Sequence, residues 1–348
     1  MSKIINNNKV KIFLVVLIIF FTIQGLFLPK NFQEIEHNIF FIEKGQSVFE
    51  ISQELKEAKL IRSSFLFNFY VFTTGNRANL KAGQYSFSQS MSTFEIIQKI
   101  IKGKTIREVI TIPEGWNLRD IAWFFENKGL FQAEEILEIT GFPATDYSSV
   151  NSSPNLVDFQ KYDFLQDKPQ NISLEGYIFP DTYELEKNFS VKDFIKKTLD
   201  NFDKKMNNDL REEIEKQNRT IFEIITMASL IEREARETED KEIVSGILWK
   251  RLESGMPLQV DATILYFTGK TTTHILKEDL ETSSFYNTYK NRGLPLGPIC
   301  NPGMESILAS INPQSSDYWY YLSTPQGEII FSKTLEEHNI AKAKYLNQ

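Results

Sequence analysis

At 348 residues the chain has room for two or three modest domains around a real hydrophobic core, and aromatic side chains at 13% supply material for one. The formal charge of -7 excludes nucleic acid as the main partner, because phosphate binding needs a basic footprint. A single cysteine, Cys300, excludes an intrachain disulfide and a cysteine-built metal centre. His37, His274 and His338 lack the spacing of metal ligands, so neither metal nor cofactor is expected.

The first predicted element is an uncharged run from Ile12 to Leu28, which reaches the lower length limit of a membrane-spanning helix. Lys3, Lys9 and Lys11 precede it, while Glu34 and Glu36 follow. That asymmetry puts the N-terminus in the cytoplasm and the bulk of the chain outside. The run is longer than a usual signal-peptide core, and Gly25 to Lys30 offers no small-x-small cleavage site, so a retained anchor is expected over a cleaved leader.

From Phe40 to Gln132 one unit is used twice. A strand-like FFIEKG, Phe40 to Gly45, precedes a capping box at Ser47 and Glu50 and a helix to about Ala58. Seventy positions on, VITIPEG (Val109 to Gly115) precedes a helix carrying Leu118, Ile121 and Phe125, so that Gly45, Val48, Ile51 and Leu60 align with Gly115, Leu118, Ile121 and Leu130. Two copies are too few for a solenoid and predict a paired module. GQYSF (Gly83 to Phe87) and a capped helix from Ser92 to about Lys102 lie between them. The strand, helix, helix, strand order resembles a small carbohydrate-binding unit of the LysM type.

Gly141 to Asn171 is rich in Ser, Asn, Asp and Pro and reads as a surface excursion. Turn residues Gly176, Pro180 and Asp181 punctuate the aromatic segment from Leu174 to Leu185, and the charged stretch from Asp193 to Asn218 predicts a solvated helical run. Thr220 and Glu223 then form a capping box for a helix whose Ile221, Ile224, Met227, Ala228, Ile231 and Ala235 share one stripe at about 100° per residue. Glu232 and Glu234 fall on opposite edges of that stripe, and periodicity does not choose between them. A carboxyl half desolvated at such an edge keeps its proton more readily, as a proton donor near neutral pH must.

A second helix runs from about Glu239 to Ser254 and stops at Gly255 and Pro257. LQVDAT, Leu258 to Thr263, then alternates as a strand would, with Gln259, Asp261 and Thr263 on one face. Ser283 to Ser306 is dense in Gly, Pro and Asn, the composition of an ordered, ligand-bearing loop. YWYYLS and EIIFS form a hairpin, and Thr334 with Glu337 caps a last helix. GKT at Gly269 to Thr271 lacks the earlier glycine of a phosphate loop, since Ile264 stands there, and no G-x-S-x-G elbow occurs.

Six separated segments resemble, in order, the YceG-like (MltG) family of membrane-anchored endolytic murein transglycosylases. They are EGYIFPDTY (Glu175 to Tyr183), ASLIERE (Ala228 to Glu234), RLESGMPLQVDAT (Arg251 to Thr263), YNTY (Tyr286 to Tyr289), GLPLGPICNPG (Gly293 to Gly303) and FSKTLEEHN (Phe331 to Asn339). The resemblance implies an α+β chain with a single transmembrane helix over 12–30 after a cytoplasmic tail over 1–11. A LysM-like α+β module over 38–106 and an α+β catalytic domain of YceG-like type over 107–348 follow. It places the catalytic acid at Glu232 and implies substrate contacts from Gln259, Asp261, Thr263, Asn287, Thr288 and Tyr289, with Asn301 in the same loop region. Leu296 departs from the family, where a second proline is frequent.

The partners implied are peptidoglycan glycan strands, the cytoplasmic membrane and peptidoglycan synthases. The family's chemistry cleaves the bond between N-acetylmuramic acid and N-acetylglucosamine without water. One glutamic acid protonates the leaving oxygen and then deprotonates the sugar's own C6 hydroxyl, leaving a 1,6-anhydro end, whereas most glycosidases use two carboxylates. Two other readings stand beside it: a hydrolytic muramidase using Asp261 or Glu234 as second carboxylate, and a non-catalytic peptidoglycan-binding scaffold that recruits synthases.

Overall fold

The computed structural model describes residues 2–32, 37–149, 159, 161–270 and 275–346. His274, Thr271 and residues 150–158 and 160 of the Ser/Asn-rich stretch lie outside the described residues. The chain forms two compact units, Met1–Val109 with Glu184–Phe189, and Ile110–Tyr183 with Ser190–Gln348.

The first unit opens with helix α1 (Ser2–Phe27). Its Lys9–Phe27 stretch has a mean hydropathy of 2.5 and is the one helix among the described residues long and apolar enough to cross a bilayer. β1 (Asn38–Ile42), α2 (Val48–Glu57), α3 (Ser64–Thr73), β2 (Gly83–Phe87) and α4 (Thr93–Lys102) follow. The two strands pair antiparallel with Phe40 opposite Tyr85, so the expected strand, helix, helix, strand order is present. Capping boxes at Ser47/Glu50 and Ser92/Glu95 start α2 and α4. Their inner faces bury Ile51, Leu55, Ile96 and Ile100 against Phe67, Tyr85 and Phe87.

The paired module is corrected. β3 (Arg107–Ile112) and α5 (Leu118–Asn127) repeat the local build of β1 and α2, with Gly45 and Gly115 both at positive φ and a capping box at Asn117/Asp120. The likeness ends there, because the apolar face of α5 is covered from elsewhere: Phe125 packs on Phe194 at 4.7 Å between ring centres. α5 therefore belongs to the second unit.

β4 (Asp181–Glu186) pairs with β3. The second unit continues with the helices α6 (Ala133–Thr140), α7 (Val191–Lys205), α8 (Asn208–Lys216), α9 (Ile221–Glu234), α10 (Thr238–Glu253), α11 (Asp261–Thr268), α12 (Lys277–Glu281) and α13 (Met304–Ile311). The expected hairpin is β5 (Tyr320–Ser323) against β6 (Ile329–Ser332), and α14 (Leu335–Tyr345) closes the chain behind its Thr334/Glu337 capping box. The stretch from Asp193 to Asn218 is two helices, not one solvated run, since α7 buries Phe194, Ile195, Leu199 and Phe202.

α9 is the hub. Its Thr220/Glu223 capping box forms as the spacing requires, yet every residue from Ile224 to Ile231 is buried. The helix is thus enclosed on all sides where the stripe had predicted one buried face. α10 and α13 pack on it and on each other. Hydrogen bonds tie α9 to the last loop and to α13: Ser229 Oγ accepts from the Ile299 N–H at 3.0 Å, and Ser310 Oγ donates to the Ile224 carbonyl at 3.1 Å.

One close approach gives a test of this packing. A Cβ on Gly246, inside α10, would lie 2.0 Å from the backbone oxygen of Gln314. Alanine would gain about 1 kcal/mol in helix propensity, but overpacking against backbone costs about 1–3 kcal/mol. Gly246→Ala is therefore expected to lower the thermal midpoint; an unchanged or higher midpoint would show that the chain at Gln314 yields freely.

Candidate functional site

Glu232 stands in the last turn of α9, and its surroundings come from three other segments. Its Oε2 accepts from the Gly303 N–H at 3.1 Å and from Ser306 Oγ at 2.5 Å, both at the start of α13, with Lys241 Nζ of α10 at 4.0 Å. A carboxylate at a helix N-terminus meets unpaired N–H donors and the positive end of the helix dipole. All three contacts fall on one oxygen. Oε1 has no partner among the described residues, and the side chain keeps 10% of its surface open.

A second carboxylate reaches the same point. Glu114, in the turn before α5, lies so close over Gly303 that a Cβ there would be 2.1 Å from its carboxyl group. Burial, then the charges of Glu232 and Glu305, raise the Glu114 carboxyl above its ordinary value, with Lys241 opposing. Lys241 is itself buried and pairs with Glu305 at 3.3 Å.

Glu234, two residues on, points elsewhere, as the opposite edges of the helix require. It lines a groove of about 530 Å³ with Gln259, Asp261, Tyr289, Tyr321 and Arg251. Burial and then the Asp261 charge push its carboxyl up to about 7, against a hydrogen bond from Tyr321. The Tyr289 hydroxyl donates to Asp261.

The LQVDAT segment is not a strand. Gln259 sits at φ +54, which breaks the extended chain, and α11 begins at Asp261. Gln259 and Asp261 remain open to the groove, whereas Thr263 is buried below and bonds Thr288 at 3.1 Å. Thr288 Oγ1 also accepts from the Val260 N–H at 3.0 Å. Asn287 is buried, with its amide donating to the Leu280 and Thr282 carbonyls.

Asn301 is buried in another place. Its Oδ1 accepts from the Ile178 N–H at 2.9 Å, and its Nδ2 donates to the Trp116 carbonyl at 2.9 Å and to Glu175 at 3.2 Å. Of the seven residues expected to contact substrate, Gln259, Asp261 and Tyr289 thus come together on an open surface. Thr263, Asn287, Thr288 and Asn301 lie in the frame beneath, where their polar atoms are engaged by protein partners.

Sequence reasoning missed Glu114, Ser306 and Lys241, and it quoted Glu175 without giving it a role. Glu175 is fully enclosed: both carboxyl oxygens accept from the Leu118 N–H at 3.1 Å, and the Tyr266 hydroxyl donates at 3.1 Å. Burial pushes this carboxyl up to about 8.

A second cleft, of about 680 Å³, opens on the other side of Arg233. α5 and the turn before it supply Trp116, Arg119, Trp123 and Phe124, and α11 supplies the facing wall with Leu265 and Tyr266. Arg233 thus borders both clefts.

The helical core that carries this clamped carboxylate belongs to a recognised class: the YceG-like family profile matches residues 40–344, and the chain belongs to that family. It is 35% identical over 308 residues to the endolytic murein transglycosylase of Bacillus subtilis, covering 88% of this chain and 84% of that protein. It is 32% identical over 326 residues to the endolytic murein transglycosylase of Streptococcus pneumoniae strain D39, of whose length it spans 58%. A crystal structure of a yceG-like protein from Listeria monocytogenes superposes with a TM-score of 0.57 at 36% identity, covering 89% of this chain and all of that one.

Glu175 yields a pH prediction. Its carboxyl is raised from 4.5 to about 8, so the folded state holds a proton the unfolded chain has released between those values, and its contribution to stability falls as pH rises through that window. At 1.36 kcal/mol per unit the effect is bounded at a few kcal/mol. Glu175→Gln cannot ionise, and its amide faces the Asn301 donor, so it should melt below the wild type at pH 5 with the gap closing towards pH 8. A gap independent of pH would mean that Glu175 does not carry the proton.

Proposed function

We propose that this chain is a membrane-anchored endolytic murein transglycosylase in which Glu232 is the single acid and base. The observation that carries the reading is the asymmetry of the Glu232 carboxyl. Oε2 is held by Gly303, Ser306 and Lys241, whereas Oε1 has no partner among the described residues. In the acid form Oε2 is the natural acceptor for the two donors, so the proton sits on Oε1. The same oxygen, once it has protonated the leaving glycosidic oxygen, is the free carboxylate atom that takes the proton from the C6 hydroxyl. The clamp fixes the direction of transfer in both halves of the reaction, and such positioned acid-base assistance contributes about two to four powers of ten in rate.

The glycan would lie along the clefts beside Arg233, with Gln259, Asp261 and Tyr289 offering polar contacts. Similarity to proteins named endolytic murein transglycosylases supports the substrate and the reaction class. Glu114 favours one alternative, hydrolysis, because a second carboxylate beside the acid could activate water. Glu232→Gln keeps size and shape and should abolish cleavage of purified murein in a protein that melts as the wild type does. Glu234→Gln, turned into the other groove, should cost far less. The wild-type products should be lighter by one water than hydrolysis products; reducing ends would replace this reading with a muramidase that uses Glu114. Full activity in Glu232→Gln would place the acid elsewhere.

The anchor rests on α1 and on the lysines before its apolar stretch. A reporter joined after Gln348 should be active only outside the cytoplasm; cytoplasmic activity would remove both the topology and the access to murein.

A further inference from the structure

The cleft between α5 and α11 has a composition that the acid-base reaction does not use. Arg119, Trp123 and Asn127 recur at helical spacing on the face of α5 opposite the buried Leu118, Ile121, Ala122 and Phe125, and Trp116 adjoins them from the turn before the helix. Trp123 is 66% exposed, too much for a core residue of that size. Trp116 packs edge-on against Phe124 at 5.4 Å, which fixes the second indole as a wall. Apolar Leu265 and Ile299 line the cleft as well.

The balance of charge in this cleft is cationic, Arg119, Arg233 and Lys270 against Asp120, although the chain as a whole carries -7. Lys270 is neutralised by Asp279 at 2.7 Å. Asp120 is the one carboxylate in the lining, and it is occupied in accepting the Asn117 N–H at 3.0 Å. Arg119 and Arg233 form no ion pair among the described residues. The Arg119 guanidinium lies against Gly269, whose missing side chain leaves it room, 3.5 Å from where a Cβ would be. Arg233 donates to the Gly115 carbonyl at 3.3 Å, which holds its guanidinium at the end of the cleft next to Glu232. Aromatic surfaces beside two guanidinium groups that form no ion pair among the described residues suit a ligand with apolar faces and carboxylates. A neutral sugar chain uses the first feature and leaves the second idle.

We propose that this cleft is a subsite for the stem peptides of peptidoglycan, with Arg119 and Arg233 pairing with peptide carboxylates and Trp116 and Trp123 covering the peptide's apolar surface. The inference rests on the murein reading above and narrows it: the substrate is glycan that still carries its peptides, and a strand stripped by an amidase is a poor one. Hydrolysis of the lactyl amide removes the peptide and frees a lactyl carboxylate on each muramic acid, so the stripped strand is still anionic and a preference for intact strands reports the peptide rather than charge alone.

The experiment measures kcat/KM of the full-length protein in detergent on soluble uncrosslinked strands, intact and amidase-stripped. One charge-assisted contact is worth about 1.5–3 kcal/mol, so intact strands should be favoured by about tenfold or more. The preference should shrink as salt is raised, because exposed charges are screened. Arg119→Ala and, separately, Trp123→Ala should each narrow the ratio, and both side chains are exposed enough for the variants to fold. Equal rates on the two strands, or a ratio unmoved in both variants, would overturn the subsite and leave the transglycosylase reading intact. If neither strand is cleaved the activity reading fails, and tighter binding of intact than of stripped strands then still decides for or against the cleft.

Discussion

The arrangement depends on the contact between the end of α9 and the start of α13. α9 is buried on every side, so it can neither rotate nor slide without opening the core, and interiors packed to crystal-like density resist such shifts. The first residues of α13 present a free N–H and a hydroxyl, and Glu232 completes that helix terminus. One side chain therefore caps a helix while keeping 10% of its surface open. A group so fixed loses little freedom when a substrate arrives, which is the condition for a positioned proton donor.

A parallel device stands at the start of α5. Glu175 caps that helix from the EGYIFPDTY segment, and Asn301 ties the same turn to Ile178. These two caps place Glu114 and Gly115 next to Glu232: the Gly115 N–H donates to the Asn301 carbonyl at 2.9 Å, and a Cβ at Gly115 would lie 3.7 Å from Glu232 Cγ. Positions 114 to 118, 175 to 178 and 299 to 306 are far apart in the chain and meet at one corner. The cost of assembling that corner is carried by buried amide and carboxyl hydrogen bonds, each expensive to leave unmade.

Much of this was legible in the sequence where the rule is local. Capping boxes at Ser47, Ser92, Thr220 and Thr334 needed only the spacing of two residues, and all four form. The opposed directions of Glu232 and Glu234 followed from helical geometry alone. What failed depended on partners distant in sequence. Alternation in LQVDAT reads as a strand until the YNTY loop captures the Val260 N–H and Gln259 turns into the left-handed region. The repeat of strand, glycine and capped helix is real at both sites, but the second copy finds its apolar cover in α7. The Asn and Thr residues of the loop motifs are substrate contacts only by resemblance to the family, and no local rule in the sequence tells what each one bonds. Here Asn287, Thr288 and Asn301 spend their donors and acceptors in holding the loop.

That division bears on how a short motif should be read. A polar side chain placed by a motif can act on a substrate only with an atom left over after the fold has used the rest. Asn301 has none, since its Oδ1 and Nδ2 are both taken by main chain and carboxyl partners. Glu234 is engaged by the Tyr321 hydroxyl and lies in the field of Asp261, so its carboxyl is committed to the groove. Glu232 concentrates its contacts on a single oxygen. The same clamp engages Oε2 in the structure and leaves Oε1 without a partner among the described residues; on the proposed reading, this separation within one carboxyl group would let a helix cap act as an acid and then as a base without the fold having to move.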